Sequence, residues 1–415
     1  MPTSAKIFIA LLIVVIIIAA LFYYIRISQN TIVPQDNYAS ENSSVSENNT
    51  PAKDATTPES VPDQEVEVAL KDKIGQMIML GFRGTQATAD SPISNTISNL
   101  KIGGVILFDY DVPSKSFPRN IVNPDQTKKL IANLQSQSSV PLLISVDAEG
   151  GNVNRLKEKY GFLKILSAKE MGKDTTLKTT QRESLKLATE LKELGFNMNF
   201  APVVDVDINP QNPIIGALGR SFSPDPKTVT DHARVFLNSH IGRNIIPVEK
   251  HFPGHGSSTS DSHLGVVDVT KTYQQKELTP YIQLQKEGLL DVVMTAHIIN
   301  KNIDKNYPAT LSPEFLQKIL RQQIGFQGVI ISDDMQMNAI VGNYGFKEAI
   351  IKSVNAGCDI LLLSNNGTAA YDPQLPHKAV DIIYNAVKEG NISQEKIEES
   401  YDRIINLKKK FKIVN

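Results

Sequence analysis

Short apolar runs rich in β-branched residues alternate with amphipathic stretches through most of this 415-residue sequence. Strands that alternate with helices predict repeated βαβ units, in which neighbouring strands run parallel. Eight such units predict an α/β fold of the (β/α)8 TIM-barrel type, with a doubly wound open sheet as the alternative. The predicted strands are 77–82, 102–108, 141–147, 196–206, 245–252, 291–298, 328–334 and 358–364, and the predicted helices include 125–137, 184–194, 226–241, 312–323, 347–356 and 393–411.

The amino-terminal region has a different pattern. Residues 7–25 form a run of 19 apolar or aromatic residues, which is long enough to cross a bilayer as a helix. A cleavable signal peptide is the alternative, but Phe22 to Arg26 make a poor cleavage site. Residues 1–26 are therefore predicted to be a single-pass membrane anchor, with the amino terminus inside and the rest of the chain outside the cytoplasm.

Residues 27–66 are predicted to be a disordered linker, and residues 67–415 a single barrel domain. Of the 36 residues from 27 to 62, 19 are Ser, Thr, Asn or Pro, so the stretch cannot bury enough apolar surface to offset its ordering entropy. At the other end of the chain, the basic run 408–410 is expected to be the solvated end of the last helix.

Composition excludes several classes of protein. The 43 Lys and Arg residues against 44 Asp and Glu residues leave no excess of positive charge to bind nucleic acid. The single cysteine, Cys358, excludes an internal disulfide framework and a cysteine-rich zinc site.

Polar residues stand where the predicted apolar strands end. In a barrel of this type the carboxyl ends of the strands meet on one face, which is where chemistry takes place. Five groups are expected to converge there: Asp147 with Glu149, Asp205 with Asp207, Lys250 with His251, His297, and Asp333 with Asp334.

The segment KHFPGHG at 250–256 allows four interpretations. His251 and His255 have the spacing of a helical zinc motif, but Pro253 and Gly254 between them prevent a regular helix. A phosphate-binding loop lacks its GxxxxGK pattern here, and structural histidines are a third option. The favoured interpretation is a loop that presents Asp261 and His263 as a proton-transfer pair, because a nearby carboxylate fixes the tautomer of an imidazole and makes it more basic. No metal and no cofactor are expected.

Two further segments end in carboxylates. The strand GVIISDDM at 328–335 ends in Asp333 and Asp334, which suits one carboxylate for helix capping and the other for nucleophilic attack on a sugar. The segment SVDAEGG at 145–151 places Asp147 before a glycine turn, where it can bind sugar hydroxyls or cap the turn.

Together these segments resemble family 3 glycoside hydrolases, and more narrowly their single-domain bacterial β-N-acetylhexosaminidase branch. The matching pieces occur in the family's order over about residues 68–412: IGQMIMLGF at 74–82, IGGVILF at 102–108, SVDAEGG at 145–151, FAPVVDV at 200–206, GRSFSPDP at 219–226, KHFPGHG at 250–256, DSH at 261–263, MTAHI at 294–298, GFQGVIISDDM at 325–335 and AGCDILLL at 356–363.

The resemblance implies retaining hydrolysis of terminal β-linked N-acetylglucosamine, with peptidoglycan fragments or related amino-sugar glycans as substrate. Asp333 would be the nucleophile, and His263 the acid/base, paired with Asp261. The sugar-binding positions would be Asp147, Arg220, Lys250 and His251.

One position departs from the family pattern. The branch usually has arginine after the double glycine, whereas this chain has Asn152, and nearby Arg155 is expected to compensate. β-Glucosidase members usually have a Ser-Asp-Trp nucleophile segment, and this sequence has no tryptophan. β-Glucosidase activity, phosphorolysis and a membrane-anchored cell-wall-binding module without activity remain the alternative functions.

Overall fold

Eight parallel strands form a closed barrel in the computed structural model of the protein, which describes residues 63–414. Six strands pair in one continuous ladder and three pair in a second, and the two halves of the strand at 246–252 take part in one ladder each. Bridges between Ile331 and Ile360 and between Val203 and Lys250 join the two ladders into a ring. The barrel strands are β1 (Ile78–Gly81), β2 (Gly104–Leu107), β3 (Leu143–Val146), β4 (Met198–Asn199), β5 (Ile246–Pro247 and Glu249–Phe252), β6 (Val292–Thr295), β7 (Val329–Ile331) and β8 (Leu361–Leu363).

Every residue of the eight strands is buried. Parallel strands covered on both faces are expected to be continuous apolar runs, and this explains why the sequence pattern located all eight. The predicted strand 196–206 pairs only at Met198–Asn199. Pro202 has no N–H to donate to a ladder, and beyond it Val203 rejoins the barrel through a single bridge to Lys250.

Helices surround the barrel, and the six predicted from periodicity are all present. They are Pro124–Ser136, Lys178–Leu194, Pro226–Ile241, Glu314–Gln323 (a π-helix), Phe346–Ala356 and Gln394–Lys410. The described residues also form helices at Asp63–Gln76, Pro92–Leu100, Ala168–Met171, Thr279–Lys286, Asn338–Tyr344 and Leu375–Lys388.

Three sequence expectations concern the ends of the chain. The first helix begins at Asp63, so residues 63–66 are helical rather than part of the predicted linker. Within residues 63–414, no helix has both the length and the apolar character needed to cross a membrane. The predicted anchor at 7–25 and nearly all of the predicted linker lie outside the described residues.

The expectation for the basic run 408–410 was wrong at its first residue. Lys408 is fully buried, and its Nζ donates to Oε1 of Gln76 at 2.7 Å. Ile404 and Leu407 on the same helix are buried too. The helical repeat therefore turns Lys408 toward the barrel, whereas Lys409 and Lys410 are exposed.

Candidate active site

A cavity of about 430 Å³ opens at the carboxyl ends of the barrel strands. Its walls come from the loops that follow most of the strands, as expected for a barrel of this kind. All seven residues predicted for the site line it: Asp147, Arg220, Lys250, His251, Asp261, His263 and Asp333.

Two carboxylates and two cations form a charged cage on one side of the cavity. Lys250 Nζ lies 3.0 Å from Oδ1 of Asp147 and 2.7 Å from Oε1 of Glu149. Arg220 donates two parallel hydrogen bonds to Glu149, from Nε to Oε2 at 2.8 Å and from Nη2 to Oε1 at 2.7 Å. Because these side chains form ion pairs with one another, their positions are fixed before a ligand binds.

The cage keeps its carboxylates ionised. Burial alone would raise the pKa of Asp147, but Lys250, Arg155 and Arg220 lower it to about 2. Burial likewise opposes ionisation of Glu149, yet Arg220 and Lys250 bring its pKa below the ordinary value. Glu149 therefore holds no proton to donate at neutral pH.

His251 is fixed by a buried carboxylate that the sequence analysis left without a role. Asp205 is fully buried, and its Oδ2 lies 2.7 Å from Nδ1 of His251. The Nε2 of His251 lies 3.4 Å from Nη2 of Arg220, which can only donate. In neutral His251 the proton therefore sits on Nδ1. The other oxygen of Asp205 accepts the backbone N–H groups of His251 and His255, so this carboxylate also shapes the chain after Lys250.

The two adjacent carboxylates after β7 have different environments. Asp334 accepts from the N–H groups of Gln336 and Ser364 and from the hydroxyl of Ser364, so both its oxygens are occupied. Burial raises its pKa. Asp333 lines the cavity and accepts one bond, from the N–H of Asp334 at 2.8 Å. The pair thus divides into one carboxylate held by hydrogen bonds and one available to a ligand. The expected helix cap is not found, because the helix that follows, Asn338–Tyr344, has no side-chain cap.

Histidines surround Asp333 and keep it charged. Burial on its own raises the pKa of Asp333, but His297, His251 and His263 outweigh burial and lower it. His297 is buried behind it, where Nε2 lies 2.9 Å from the carbonyl oxygen of Asp334 and Nδ1 lies 2.7 Å from the hydroxyl of Thr310. An ionised, unencumbered carboxylate is the state that a nucleophile requires.

His263 and Asp261 stand at the mouth of the cavity, on the long loop between β5 and β6. Oδ1 of Asp261 lies 2.7 Å from Nδ1 of His263 and 2.8 Å from its backbone nitrogen. The His263 side chain is 64 % exposed. Asp261 thereby holds the Nδ1–H tautomer and leaves Nε2 free for proton transfer.

The position that departs from the family pattern lies outside the cavity wall. Asn152 is exposed, and its side-chain amide donates to the carbonyl of Leu218. Arg155 does line the cavity, with Nη2 3.5 Å from Oδ2 of Asp147. Arg155 therefore adds a third cation beside the cage.

A metal site would need nitrogens and oxygens that are not already engaged. In the part of the chain from 63 to 414, no group of three or more His, Cys, Asp or Glu side chains is arranged to hold a metal ion. His251 and His255 meet edge to face at 5.8 Å between ring centroids, and His251 already pairs with Asp205.

A closed eight-stranded barrel with an ionised carboxylate and a polar cage at the carboxyl ends of its strands has the layout of a TIM-barrel enzyme. Comparison with known families is more specific. Residues 69–407 match the model for the glycosyl hydrolase family 3 N terminal domain, and the chain belongs to that family.

Several relatives are similar over most of the described chain. A β-hexosaminidase from Nitrosomonas eutropha is 34% identical over 71% of this chain and 82% of its own length. A solved family 3 β-N-acetylglucosaminidase from a Paenibacillus species is 33% identical, with a TM-score of 0.74, over 83% of this chain and 63% of that one. A β-N-acetylhexosaminidase structure from Beutenbergia cavernae is 27% identical, with a TM-score of 0.71, over 82% of this chain and 98% of that one.

The chain spans less than two thirds of some of these relatives. It covers 63% of the Paenibacillus chain and 62% of β-hexosaminidase A from Pseudoalteromonas piscicida, to which it is 30% identical.

Proposed function

We propose that this protein is a retaining exo-β-N-acetylhexosaminidase, which removes terminal β-linked N-acetylglucosamine from glycans through a covalent glycosyl-enzyme. The observation that carries the proposal is the shared cavity of ionised Asp333 and the Asp261–His263 pair. One group can attack the anomeric carbon, and the other can exchange a proton with the leaving oxygen.

In the first step an oxygen of Asp333 forms a bond to the anomeric carbon while the glycosidic C–O bond breaks. The leaving oxygen takes a proton from Nε2 of His263, and Asp261 continues to accept the Nδ1–H bond. The charged cage binds the sugar hydroxyls, since carboxylates accept hydrogen bonds and Lys250 and Arg220 donate them.

In the second step water attacks the anomeric carbon of the glycosyl-enzyme. Nε2 of His263 takes the proton from that water, and Asp333 leaves as a carboxylate. Two displacements at one carbon return the original configuration, which is the outcome called retention.

The relatives support the choice of sugar. They are β-hexosaminidases and β-N-acetylglucosaminidases, so the terminal unit we propose is N-acetylglucosamine. Peptidoglycan fragments are the proposed natural source, because the predicted anchor at 7–25 would place the domain outside the cytoplasm, where cell-wall glycans occur.

The test uses two chromogenic substrates, a nitrophenyl N-acetyl-β-glucosaminide and the matching β-glucoside, each with and without inorganic phosphate. We expect turnover of the N-acetylated substrate, no dependence on phosphate, and release of the β-anomer as the first product seen by proton NMR. Preference for the glucoside would indicate a β-glucosidase. A phosphate-dependent rate with formation of a sugar phosphate would indicate a phosphorylase. Binding of wall fragments without turnover of either substrate would indicate a binding module.

We also propose that residues 1–26 anchor the protein in a membrane with its catalytic domain on the outer side. The support is the length of the apolar run and the poor cleavage site that follows it. Full-length protein should stay with membranes after alkaline carbonate extraction, and a chain starting at residue 63 should be soluble and equally active on the nitrophenyl substrate. Release of the full-length protein by carbonate would overturn the anchor.

A further inference from the structure

The loop that carries Asp261 and His263 is anchored at its base by a buried carboxylate outside the cavity. Glu277 is fully buried on the short helical turn Gln275–Leu278, and it is absent from the residues that line the active-site cavity. Its Oε2 accepts the backbone N–H of Ser257 at 3.2 Å, and its Oε1 accepts the backbone N–H of Gln274 at 3.1 Å. Each oxygen thus ties one backbone segment to the same side chain.

The loop also packs directly on this side chain. Gly254 has a φ of +129°, and a Cβ atom there would lie 2.6 Å from Cβ of Glu277. Only glycine permits this approach with this backbone conformation. The neighbouring Tyr273 donates its hydroxyl to the carbonyl of Pro253 at 3.2 Å. The base of the loop, residues 253–258, therefore rests on the segment 273–277.

The rest of the loop connects to this base through Ser262, which is buried between Asp261 and His263 with its hydroxyl 3.3 Å from Nε2 of His255. His263 is largely exposed, and Asp261 bonds to His263 within the loop itself. Asn338 donates to the carbonyl of Leu264 and provides a contact from the loop after β7. The position of the proton-transfer pair therefore depends on how firmly the base at 253–258 is held.

Asp205 and Glu277 are the two carboxylates that accept backbone N–H groups in this base. Asp205 also binds the ring of His251, so it belongs to the substrate-binding machinery. Glu277 lies outside the cavity and accepts hydrogen bonds from the backbone N–H groups of Ser257 and Gln274. Burial raises the pKa of Glu277 to about 7, against the hydrogen bonds from Ser257 and Gln274, which lower it. Without Glu277 the backbone N–H groups of Ser257 and Gln274 would lose these acceptors.

We propose that Glu277 is a positioning residue for the acid/base pair, which it holds over the cavity through Ser257 and Gly254. This inference rests on the proposed role of His263. A loop displaced by about 1 Å can lower a rate by about 100-fold, because proton transfer needs a short and aligned contact.

The test compares full-length wild type with Glu277→Gln. The amide has one oxygen, so it can accept only one of the two N–H groups and must turn an NH₂ donor toward the other. The value of kcat/KM, which reports the first step, should fall about 10- to 100-fold for a β-linked N-acetylglucosamine disaccharide. For the nitrophenyl substrate kcat/KM should fall less than about threefold, because nitrophenolate leaves without a proton. The inhibition constant of free N-acetylglucosamine, which reports the cage alone, should stay unchanged.

A second measurement does not depend on activity. Hydrogen–deuterium exchange of a peptide covering 253–266 should be faster in Glu277→Gln than in wild type. Glu190→Gln is the matched control, since Glu190 is another buried glutamate that accepts a loop N–H, from Leu163 at 2.8 Å, and Leu163 does not line the cavity. Glu190→Gln should change neither the exchange of 253–266 nor the ratio of the two rates. If Glu277→Gln fails to fold, Glu277→Asp keeps the charge but withdraws it from Ser257, and it should show the same pattern.

Three results would overturn the inference. They are an equal fall in rate on both substrates, a higher inhibition constant for N-acetylglucosamine, and an unchanged rate of hydrogen–deuterium exchange in the peptide 253–266. Failure of the proposed function would look different. Wild type would then turn over neither substrate, and the exchange measurement would still decide whether Glu277 holds the loop.

Discussion

Replacement of the buried lysine at the end of the last helix should stabilise the protein at neutral pH and destabilise it at high pH. Lys408 is fully buried, and its partner, the amide oxygen of Gln76, carries no charge to offset the loss of water around the ammonium group. Burial therefore lowers the pKa of Lys408 from its ordinary value of 10.5 to about 7.

The size of the effect follows from that difference. Between pH 7 and pH 10.5 the unfolded chain holds the Lys408 proton and the folded protein has lost it, so unfolding takes up a proton and stability rises with pH. Below about pH 7 both states are protonated, and the folded protein carries the full penalty of about 5 kcal/mol. By about pH 10 the penalty has fallen to about 1 kcal/mol. Lys408→Met removes the penalty but leaves Gln76 without its donor, which costs about 1–3 kcal/mol.

Lys408→Met should therefore be about 2–3 kcal/mol more stable than wild type at about pH 6.5, and equal or less stable at about pH 10. Urea unfolding followed by far-ultraviolet circular dichroism measures both values, since the sequence has no tryptophan to follow by fluorescence. Exposed Lys409 on the same helical turn supplies the control, and Lys409→Met should change stability by less than about 0.5 kcal/mol at either pH. A stability difference between Lys408→Met and wild type that is the same at both pH values would refute the reasoning, because Lys408 would then keep its proton when folded.

The remaining predictions concern the reaction. Asp333→Ala should abolish turnover with the fold intact, whereas Asp334→Asn should lower the unfolding midpoint and retain measurable turnover; an inactive, fully stable Asp334→Asn would reverse the assignment within the pair. His263→Ala should lose roughly 10²- to 10⁴-fold on a disaccharide and far less on the first step with a nitrophenyl substrate, with azide restoring part of the second step; equal losses without rescue would make His263 structural. Tyr110 lines the cavity and is 40 % exposed, so Tyr110→Ala should raise KM for a disaccharide roughly tenfold, whereas Phe117→Ala on the same loop, outside the cavity, should leave KM unchanged. If Tyr110→Ala and Phe117→Ala raised KM equally, the effect would come from the loop as a whole and not from contact of Tyr110 with the leaving sugar.

The barrel could be predicted from sequence because its strands are local signals. Each is a short apolar run buried on both faces, and the eight runs recur in order between helices. The helix Asp63–Gln76, which has a weak apolar face, was not among the predicted helices, and neither was Leu375–Lys388, although it buries a clear apolar stripe. The sequence does contain a sign that Lys408 is buried, because Ile404 and Leu407 continue the apolar stripe of the helix into that position. The three consecutive lysines are typical of an exposed helix end, and in this helix that pattern points the opposite way from the helical phase.

Contacts between distant residues of the site could not be predicted from spacing. Lys250 meets Asp147 across 103 positions, and Arg220 meets Glu149 across 71. Sequence proximity grouped Asp147 with Glu149, but only the fold shows that Glu149 is committed to two cations. The supporting carboxylates Asp205 and Glu277 act on backbone N–H groups, which leave no pattern of residue types in a single sequence.

The charged groups of the cavity suit a sugar as the ligand. Asp147 and Glu149 contribute two negative charges to the cage, and Lys250, Arg220 and Arg155 contribute three positive charges. Ionised Asp333 supplies a further negative charge, so the cage and the nucleophile together are balanced. The cage therefore offers many donors and acceptors to the hydroxyl groups of a sugar, and Asp261 and Asp334 add further carboxyl groups to the cavity wall. When the glycosidic bond breaks, the sugar ring becomes positive, and the carboxylate placed to stabilise that charge is Asp333, whose ionisation the surrounding histidines favour.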